Sequence, residues 1–445
     1  MDKLFGTDGI RGKANRYPVT CEISLNIGRS ASCFFNKNKK IIIGKDTRLS
    51  CDMIESALIS GICSMGVDVY LAGVIPTPGI SFLTYFMNMD AGIMISASHN
   101  PFYDNGIKFF KGDGYKLNDN EEAEIEKIFK ENNFKYSQDI GRVYSLNDSD
   151  KNYVNFLKDT VRKDISFKGI KLVIDCAQGA TFRVAKEVFS NLGIDVYAIS
   201  VSPNGKNIND NCGSEHPKKL SEAVLDKQAD IGLAFDGDGD RVIAVDEKGK
   251  ILSGDQIIAI CAKHLKQNGR LKNNTVVTTV MSNMGLSVAL KDMDIKHAIA
   301  TVGDRYVLEM MKSCGAIIGG EDSGHMIFLD YHRTGDGILS ALQLMESMAS
   351  SQKPLSELGK IMSVFPQMLV NVEVKNKPDI ETVPEIYNVI KKVEKELAGK
   401  GRVLVRYSGT QPLCRVMVEA PTNEDTKRYC DEITKVIKSH KSFIF

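Results

Sequence analysis

Charge of either sign is scarcely in excess along this chain: 57 basic and 56 acidic residues leave a formal net charge of +1. Bulk electrostatics therefore argues against a nucleic acid or a membrane surface as partner, and any anionic ligand must be held by a local cluster. Long apolar runs are lacking as well; no stretch approaches the ~18 residues that a membrane span requires. The start, MDKLFGTDGIRG, has no basic segment followed by an apolar run, so no secretory signal is expected. The ten cysteines, scattered from Cys21 to Cys430, include no CxxC pair, and such scatter reads as buried thiols in a reducing compartment. Together these absences predict a cytoplasmic protein.

What is present is an ordinary globular composition, 43% apolar and 25% charged over 445 residues. At ~150 residues per domain that length suggests about three domains. Strands and helices alternate: the β-branched run Ile41–Ile43 precedes a helical pattern at Ile54, Leu58, Ile62 and Met65. Strand-like Val67–Leu71, the turn Pro76–Gly79 and Ala91–Ile95 follow. The rhythm restarts at Lys171–Asp175 and runs to Asp230–Phe235, then again at Gln256–His264, Thr275–Val280 and Ala316–Ile318. Such alternation predicts βαβ units, that is, consecutive α/β domains with mixed or mostly parallel sheets. The last ~80 residues read instead as β-α-β-β-α, an α+β module of their own. Its first helix is expected to carry a capping box at Thr382, Pro384 and Glu385, with Gly399 as its stop. Four domains are therefore expected, at 1–150, 151–253, 254–366 and 367–445, the first boundary lying in the charged stretch Lys130–Asp150.

Four loops carry chemistry. In Asp236-Gly237-Asp238-Gly239-Asp240-Arg241, carboxylates at every second position can converge on one hard cation, and the glycines allow the tight turn. A solvated acidic turn is the alternative. A calcium EF-hand fails, because its sixth position holds Arg241 and its flanks read as strands. Three protein ligands leave room for water and a phosphate oxygen, which suits Mg²⁺. Ser96-Ala97-Ser98-His99-Asn100-Pro101 ends a strand, where ligand sites of open α/β sheets lie. No GxSxG elbow surrounds Ser98, and alone the segment is equally a serine-rich turn. Gly320-Glu321-Asp322-Ser323-Gly324-His325 can hydrogen-bond vicinal sugar hydroxyls or be a polar surface turn. Arg406-Tyr407-Ser408-Gly409-Thr410-Gln411, with Arg415 behind, can cradle a phosphate or close a β-hairpin.

Taken together and in order, these loops resemble those of the α-D-phosphohexomutase superfamily, most closely its bacterial amino-sugar branch. Phe5–Gly12, Gly44–Arg48, Asn105–Phe110, Cys212–Ser214 and Val302–Tyr306 extend the resemblance over nearly the whole chain. It implies three α/β domains and a C-terminal α+β domain around a central cleft, and a homodimer as the family-level expectation. Ser98 would be carried as a phosphoserine, with Mg²⁺ bridging it to Asp236, Asp238 and Asp240. A hexose 1,6-bisphosphate would serve as activator. The implied reaction interconverts glucosamine 6-phosphate and glucosamine 1-phosphate through a bisphosphate, on the route to UDP-N-acetylglucosamine and the cell wall. Arg11, Lys108, His99 and His325 are the implied catalytic groups, Arg11 stabilising charge because guanidinium is a poor proton donor. Glu321 and Ser323 would hold sugar hydroxyls; Arg406, Ser408, Gly409, Thr410 and Arg415 would grip the phosphate that is not reacting. The chain departs from the family pattern at Gln178, Asp322, Tyr407 and Gln411. A mutase of glucose or mannose phosphates stays open as an alternative, and a sugar-phosphate sensor would require a degraded serine or metal loop.

Overall fold

A computed structural model of the protein describes residues 3–6, 8–408 and 412–440. Residues up to 281 together with 295–361 form one compact unit; 282–294 together with residues from 362 onward form a second.

The first unit is built on three sheets. The first has six strands in the order Ile10–Lys13, Asp104–Lys111, Ala91–Ile95, Lys40–Lys45, Asp68–Val74, Val143–Ser145. Ile41, Ile42 and Ile43 are wholly buried, as expected of a central strand covered on both faces. Ile54, Leu58 and Ile62 line the buried face of helix Cys51–Cys63, whereas Met65 lies past its end, before the left-handed Gly66. The second sheet runs Ile251–Leu252, Val242–Asp246, Ile231–Phe235, Lys171–Asp175, Asp195–Ile199, and the third Lys296–Ala300, Thr275–Thr279, Ile318–Gly320, Met326–Phe328.

All three sheets are mixed, and for one recurring reason. Ala91–Ile95, Ile231–Phe235 and Ile318–Gly320 each pair in parallel on one side and antiparallel on the other. In each case the antiparallel partner is the next strand in the chain. The serine, acidic and Glu-Asp-Ser loops are the three connections made there, each leaving the C-terminal end of a parallel strand. Hairpin returns of this kind carry no strong local turn signal, so of the two arrangements the alternation left open, mixed and mostly parallel, the structure adopts the mixed one.

Behind the acidic loop, Gly337 N–H donates to the Gly239 carbonyl (3.0 Å), and the preceding His332 is buried with Nε2 donating to Pro78 O (2.9 Å). Burial, seconded by the charge of Arg333, pushes the His332 imidazole down to about 4. Its unfolded value near 6.5 is higher, so the unfolded chain takes up the proton first. The stability His332 contributes is therefore fully present above about pH 6.5 and is lost as pH falls towards 4. Urea unfolding of His332→Gln across that window should show a shallower loss of stability than the parent; parallel curves would contradict the shift.

In the second unit, Gln367–Glu373, Leu413–Glu419 and Arg402–Tyr407 form an antiparallel sheet in that order. Helices Pro384–Leu397 and Asn423–Ser439 supply Ile386, Val393, Ile433 and Ile437 to a core with Val372, Val416 and Val418. The expected capping box does not form: Val383 is the N-cap, and the Thr382 hydroxyl is spent on the Asp379 carbonyl (2.6 Å). Ala398 and Gly399, both left-handed, end the helix at the expected place. Among the described residues no helix is long and apolar enough to cross a membrane.

Candidate active site

Ser98 sits two residues into the serine turn with its backbone in the left-handed region, φ 50°. A non-glycine residue there persists only where its surroundings over-determine it. Here a buried polar scaffold does so. Ser98 N–H donates to Ser96 Oγ (2.9 Å), which donates to Asp46 Oδ2 (2.6 Å). Asp46 pairs with Arg48 Nε (2.9 Å), both side chains being fully buried. Arg48 Nη2 then reaches the carbonyls of Ser98 and Asn100 (2.8 Å each), and Asn209 Nδ2 reaches the same two at 2.9 and 3.1 Å. The loop's backbone is thus fixed independently of the Ser98 hydroxyl.

That hydroxyl donates to Asp236 Oδ2 at 2.5 Å and lies 3.3 Å from His99 Nδ1. Burial, then the charge of Arg241, lowers the His99 imidazole below its ordinary value. Gly237 lets the two loops approach, since a Cβ there would stand 2.6 Å from Ser98 O. Asp236, Asp238 and Asp240 are buried and offer ligand atoms that all lie within 4.8 Å of one another, the one such group among the described residues. Asp238 Oδ1 and Asp240 Oδ1 have no hydrogen-bond partner. Burial and the charges of Asp240 and Asp238 push the Asp236 carboxyl well up. Burial would raise Asp238 too, but Lys108 (2.9 Å) and the Thr77 hydroxyl (2.6 Å) hold it well below the usual range. Three crowded carboxylates with orphaned oxygens fit a hard, oxygen-preferring cation, so the triad could hold a metal ion.

From the triad a chain of charges runs outward. Lys108 Nζ, buried, meets Asp8 at 3.0 Å and Asp240 at 3.6 Å. Arg11 does not point a free guanidinium outward but pairs with Asp8 Oδ2 (2.5 Å). Asp8 also pairs with Lys116 (2.7 Å), Lys116 with Asp304 (2.5 Å), and Asp304 Oδ2 lies 3.9 Å from His325 Nε2. His325 is buried, and neither ring nitrogen is hydrogen-bonded. Beside it Glu321 Oε1 accepts from Gly303 N–H (3.1 Å), and Ser323 Oγ is buried without a partner. Asp322 accepts from the first turn of helix Gly254–Gln267, through its carbonyl from Gly254 N–H (3.0 Å) and through Oδ1 from Asp255 N–H (3.4 Å). Its carboxylate is thus stabilised by a helix N-terminus.

The phosphate-cradle residues lie in the second unit. Arg406 and Arg415 stand opposite each other on adjacent strands, and burial together with the charge of Arg415 lowers the Arg406 guanidinium. Arg415 Nε is buried without a partner. Ser408 is buried, with its N–H donating to Leu413 O (2.9 Å). Gly409 and Thr410 lie outside the described residues. Tyr407, where the pattern has proline, donates its hydroxyl to Pro378 O (2.6 Å).

Ser98, His99, Lys108, Asp236, Asp238 and Asp240 are therefore in one connected cluster, with Arg11 and His325 joined to it through Asp8, Lys116 and Asp304. Sequence reasoning assigned no role to Asp46, Arg48, Thr77, Asn209, Asp8, Lys116 or Asp304. Asp8, Asp46, Arg48 and Asp304 lay inside segments already singled out. Thr77 lay in the turn Pro76–Gly79, but neither it nor Asn209 nor Lys116 gave a sign of its partner, 161, 111 and 188 residues away.

Comparison with known proteins places the chain among relatives. Family models for phosphoglucomutase/phosphomannomutase match as alpha/beta/alpha domain I over residues 2–136, domain II over 151–249, domain III over 253–365, and the C-terminal domain over 369–436. A phosphoglucosamine mutase of Syntrophus aciditrophicus is 57% identical over 445 residues, covering 98% of this chain and 99% of its own. One of Bacillus subtilis is 52% identical, covering 99% of each. Among solved structures, a phosphoglucomutase/phosphomannomutase family protein of Burkholderia thailandensis superposes with a TM-score of 0.80 at 22% identity, covering 98% of this chain and 97% of its own. The N-acetylphosphoglucosamine mutase of Aspergillus fumigatus, in complex with GlcNAc-6P and magnesium, gives 0.69 at 16% identity, covering 98% and 95%. The chain belongs to the phosphoglucomutase/phosphomannomutase family, among its phosphoglucosamine mutases.

Proposed function

We propose that the chain interconverts glucosamine 6-phosphate and glucosamine 1-phosphate through a phosphorylated Ser98 and a hexosamine 1,6-bisphosphate. The observation that carries this reading is the 2.5 Å hydrogen bond from Ser98 Oγ to Asp236, which sets a nucleophilic oxygen against the carboxylate triad. Asp236, Asp238 and Asp240, with the Ser98 phosphate, would hold Mg²⁺, which would offset the negative charge that gathers on the phosphoryl oxygens. The fungal structure with magnesium supports that choice of ion, and the name of the bacterial relatives supports the amino sugar.

The chain's own groups divide the remaining work. Ser98 gives its phosphoryl group to one hydroxyl of the sugar and, after the bisphosphate reorients, receives the other. Lys108, whose ammonium is driven up by Asp238 and Asp8 against its burial, keeps its proton and neutralises charge. Arg11 adds to that charge. His325, with both nitrogens unspent, moves the proton of the reacting sugar hydroxyl. The proton returning to Ser98 Oγ is held between Asp236 Oδ2 and His99 Nδ1. Glu321 and Ser323 hold sugar hydroxyls. In the second unit Arg406 and Arg415, with Ser408, Gly409 and Thr410, bind a phosphate; an anion relieves the repulsion of two facing guanidinium groups. The same reading divides the chain at 1–150, 151–253, 254–366 and 367–445, supported by one sheet in each segment.

Turnover of glucosamine 6-phosphate, glucose 6-phosphate and mannose 6-phosphate, each with Mg²⁺ and a catalytic amount of hexose 1,6-bisphosphate, tests it. The amino sugar is expected to be preferred by at least about tenfold in kcat/KM, on the order of 1.4 kcal/mol of discrimination. Preference for a 2-hydroxy sugar would keep the mechanism and overturn the substrate; no turnover of any would overturn both.

A further inference from the structure

The chain of charges beyond the triad contains one cation with no assigned work. Lys116 follows the turn after strand Asp104–Lys111, and its side chain is only 16% exposed. It joins Asp8, from the start of the chain, to Asp304, the first residue of helix Asp304–Cys314. The two carboxylates depend on it unequally. Asp8 is also paired with Arg11 and Lys108, so it keeps two cations without Lys116. Among the described residues Asp304 has no other such partner: Oδ1 accepts from Arg305 N–H (2.8 Å), while Oδ2 faces Lys116 at 2.5 Å and His325 at 3.9 Å. His325 in turn has no hydrogen bond among the described residues to fix its ring.

We infer that Lys116 is a positioning residue for the mutase reaction: by holding Asp304 it sets the orientation of His325 towards the sugar. Without Lys116, Asp304 swings to His325, the nearest group left to its Oδ2, and the imidazole is drawn to that carboxylate instead of facing substrate. This rests on the reading of His325 as the group that moves the sugar proton. Simple fastening is the competing explanation, because Arg305 on the same helix also grips helix Asp119–Glu131, through Asp119 and through Glu122 (2.8 Å). If fastening were all, loss of Arg305 would cost as much as loss of Lys116.

The test is steady-state kinetics with glucosamine 6-phosphate on the full-length enzyme carrying Lys116→Met, Lys116→Arg, Arg305→Met, His325→Asn and the double change K116M/H325N. Lys116→Met should lower kcat by roughly 10- to 100-fold, the scale of a misplaced catalytic group, with KM moving much less. Lys116→Arg should recover most of that loss, and Arg305→Met should cost far less than Lys116→Met. K116M/H325N should be no slower than His325→Asn alone, because residues acting as a unit are not additive. Multiplicative losses, or an equal cost from Arg305→Met, would overturn the assignment of Lys116. An unchanged kcat in His325→Asn would instead overturn the role of His325. Should Lys116→Met lose its cooperative melting transition, Asp304→Asn reads the same link from its other end and must likewise be non-additive with His325→Asn.

Discussion

Replacing Ser98 with alanine should remove turnover, by on the order of 10⁴-fold or more, as loss of a covalent nucleophile does, while the fold survives. The second half of that expectation comes from the turn's construction. Arg48 and Asn209 hold the Ser98 carbonyl and Ser96 holds its N–H, so none of the backbone contacts involves the hydroxyl. Alanine has the same Cβ as serine and adds no strain at φ 50°. What disappears is the oxygen facing Asp236, and with it the acceptor for phosphate. Initial rates together with intact-protein mass after incubation with hexose 1,6-bisphosphate check this. Activity within about tenfold of the parent, or a phosphoryl group still retained at that site, would contradict a phosphoserine route.

Asp238→Asn should lower turnover by on the order of 10³-fold and abolish its activation by Mg²⁺. Asparagine preserves the shape that accepts from Thr77 and removes one of three charges from the group that could hold the ion. Lys108 keeps Asp8 and Asp240 as partners, so it is not left as an uncompensated buried charge, and loss of folding is not expected. Thermal melts separate the two effects. Mg²⁺ should raise the Tm of the parent, because an ion that binds the folded state stabilises it by mass action, and should leave that of Asp238→Asn unmoved. A variant with a normal Mg²⁺ activation curve would show that the ion is held elsewhere.

The candidate groups that the structure brings together share one property: each loop carries its own residues contiguously. Asp236, Asp238 and Asp240 are two residues apart, and Ser98, His99 and Asn100 adjoin, so residue type and spacing suffice. Arg48 shows what spacing cannot reveal. An arginine in a polar segment looks solvent-facing, yet it is buried and spends its guanidinium on four carbonyls of the serine turn and on Asp46. Lys116 and Asn209 are further cases, invisible because tertiary structure alone brings their partners near. Local competition explains the failed capping box, since Thr382 had a nearer acceptor in Asp379. Strand order beyond the parallel cores was equally out of reach, the returning strands being joined by the serine, acidic and Glu-Asp-Ser loops instead of two-residue turns.

The helix Met284–Asp292 connects two strands of the first unit, Thr275–Thr279 and Lys296–Ala300, yet it belongs to the second. There Met284 N–H donates to Glu419 Oε2 (3.1 Å), Asn283 Nδ2 to Phe365 O (2.9 Å), and Arg402 to the Ser282 carbonyl. During synthesis on the ribosome this stretch emerges long before its partners do. A nascent chain halted near residue 366 would already contain the strands that flank the helix but nothing for it to dock on. A free fragment beginning at 367 would conversely leave the buried Glu419 without its Met284 donor. The second unit thus draws one of its helices from a segment made well before the rest of it.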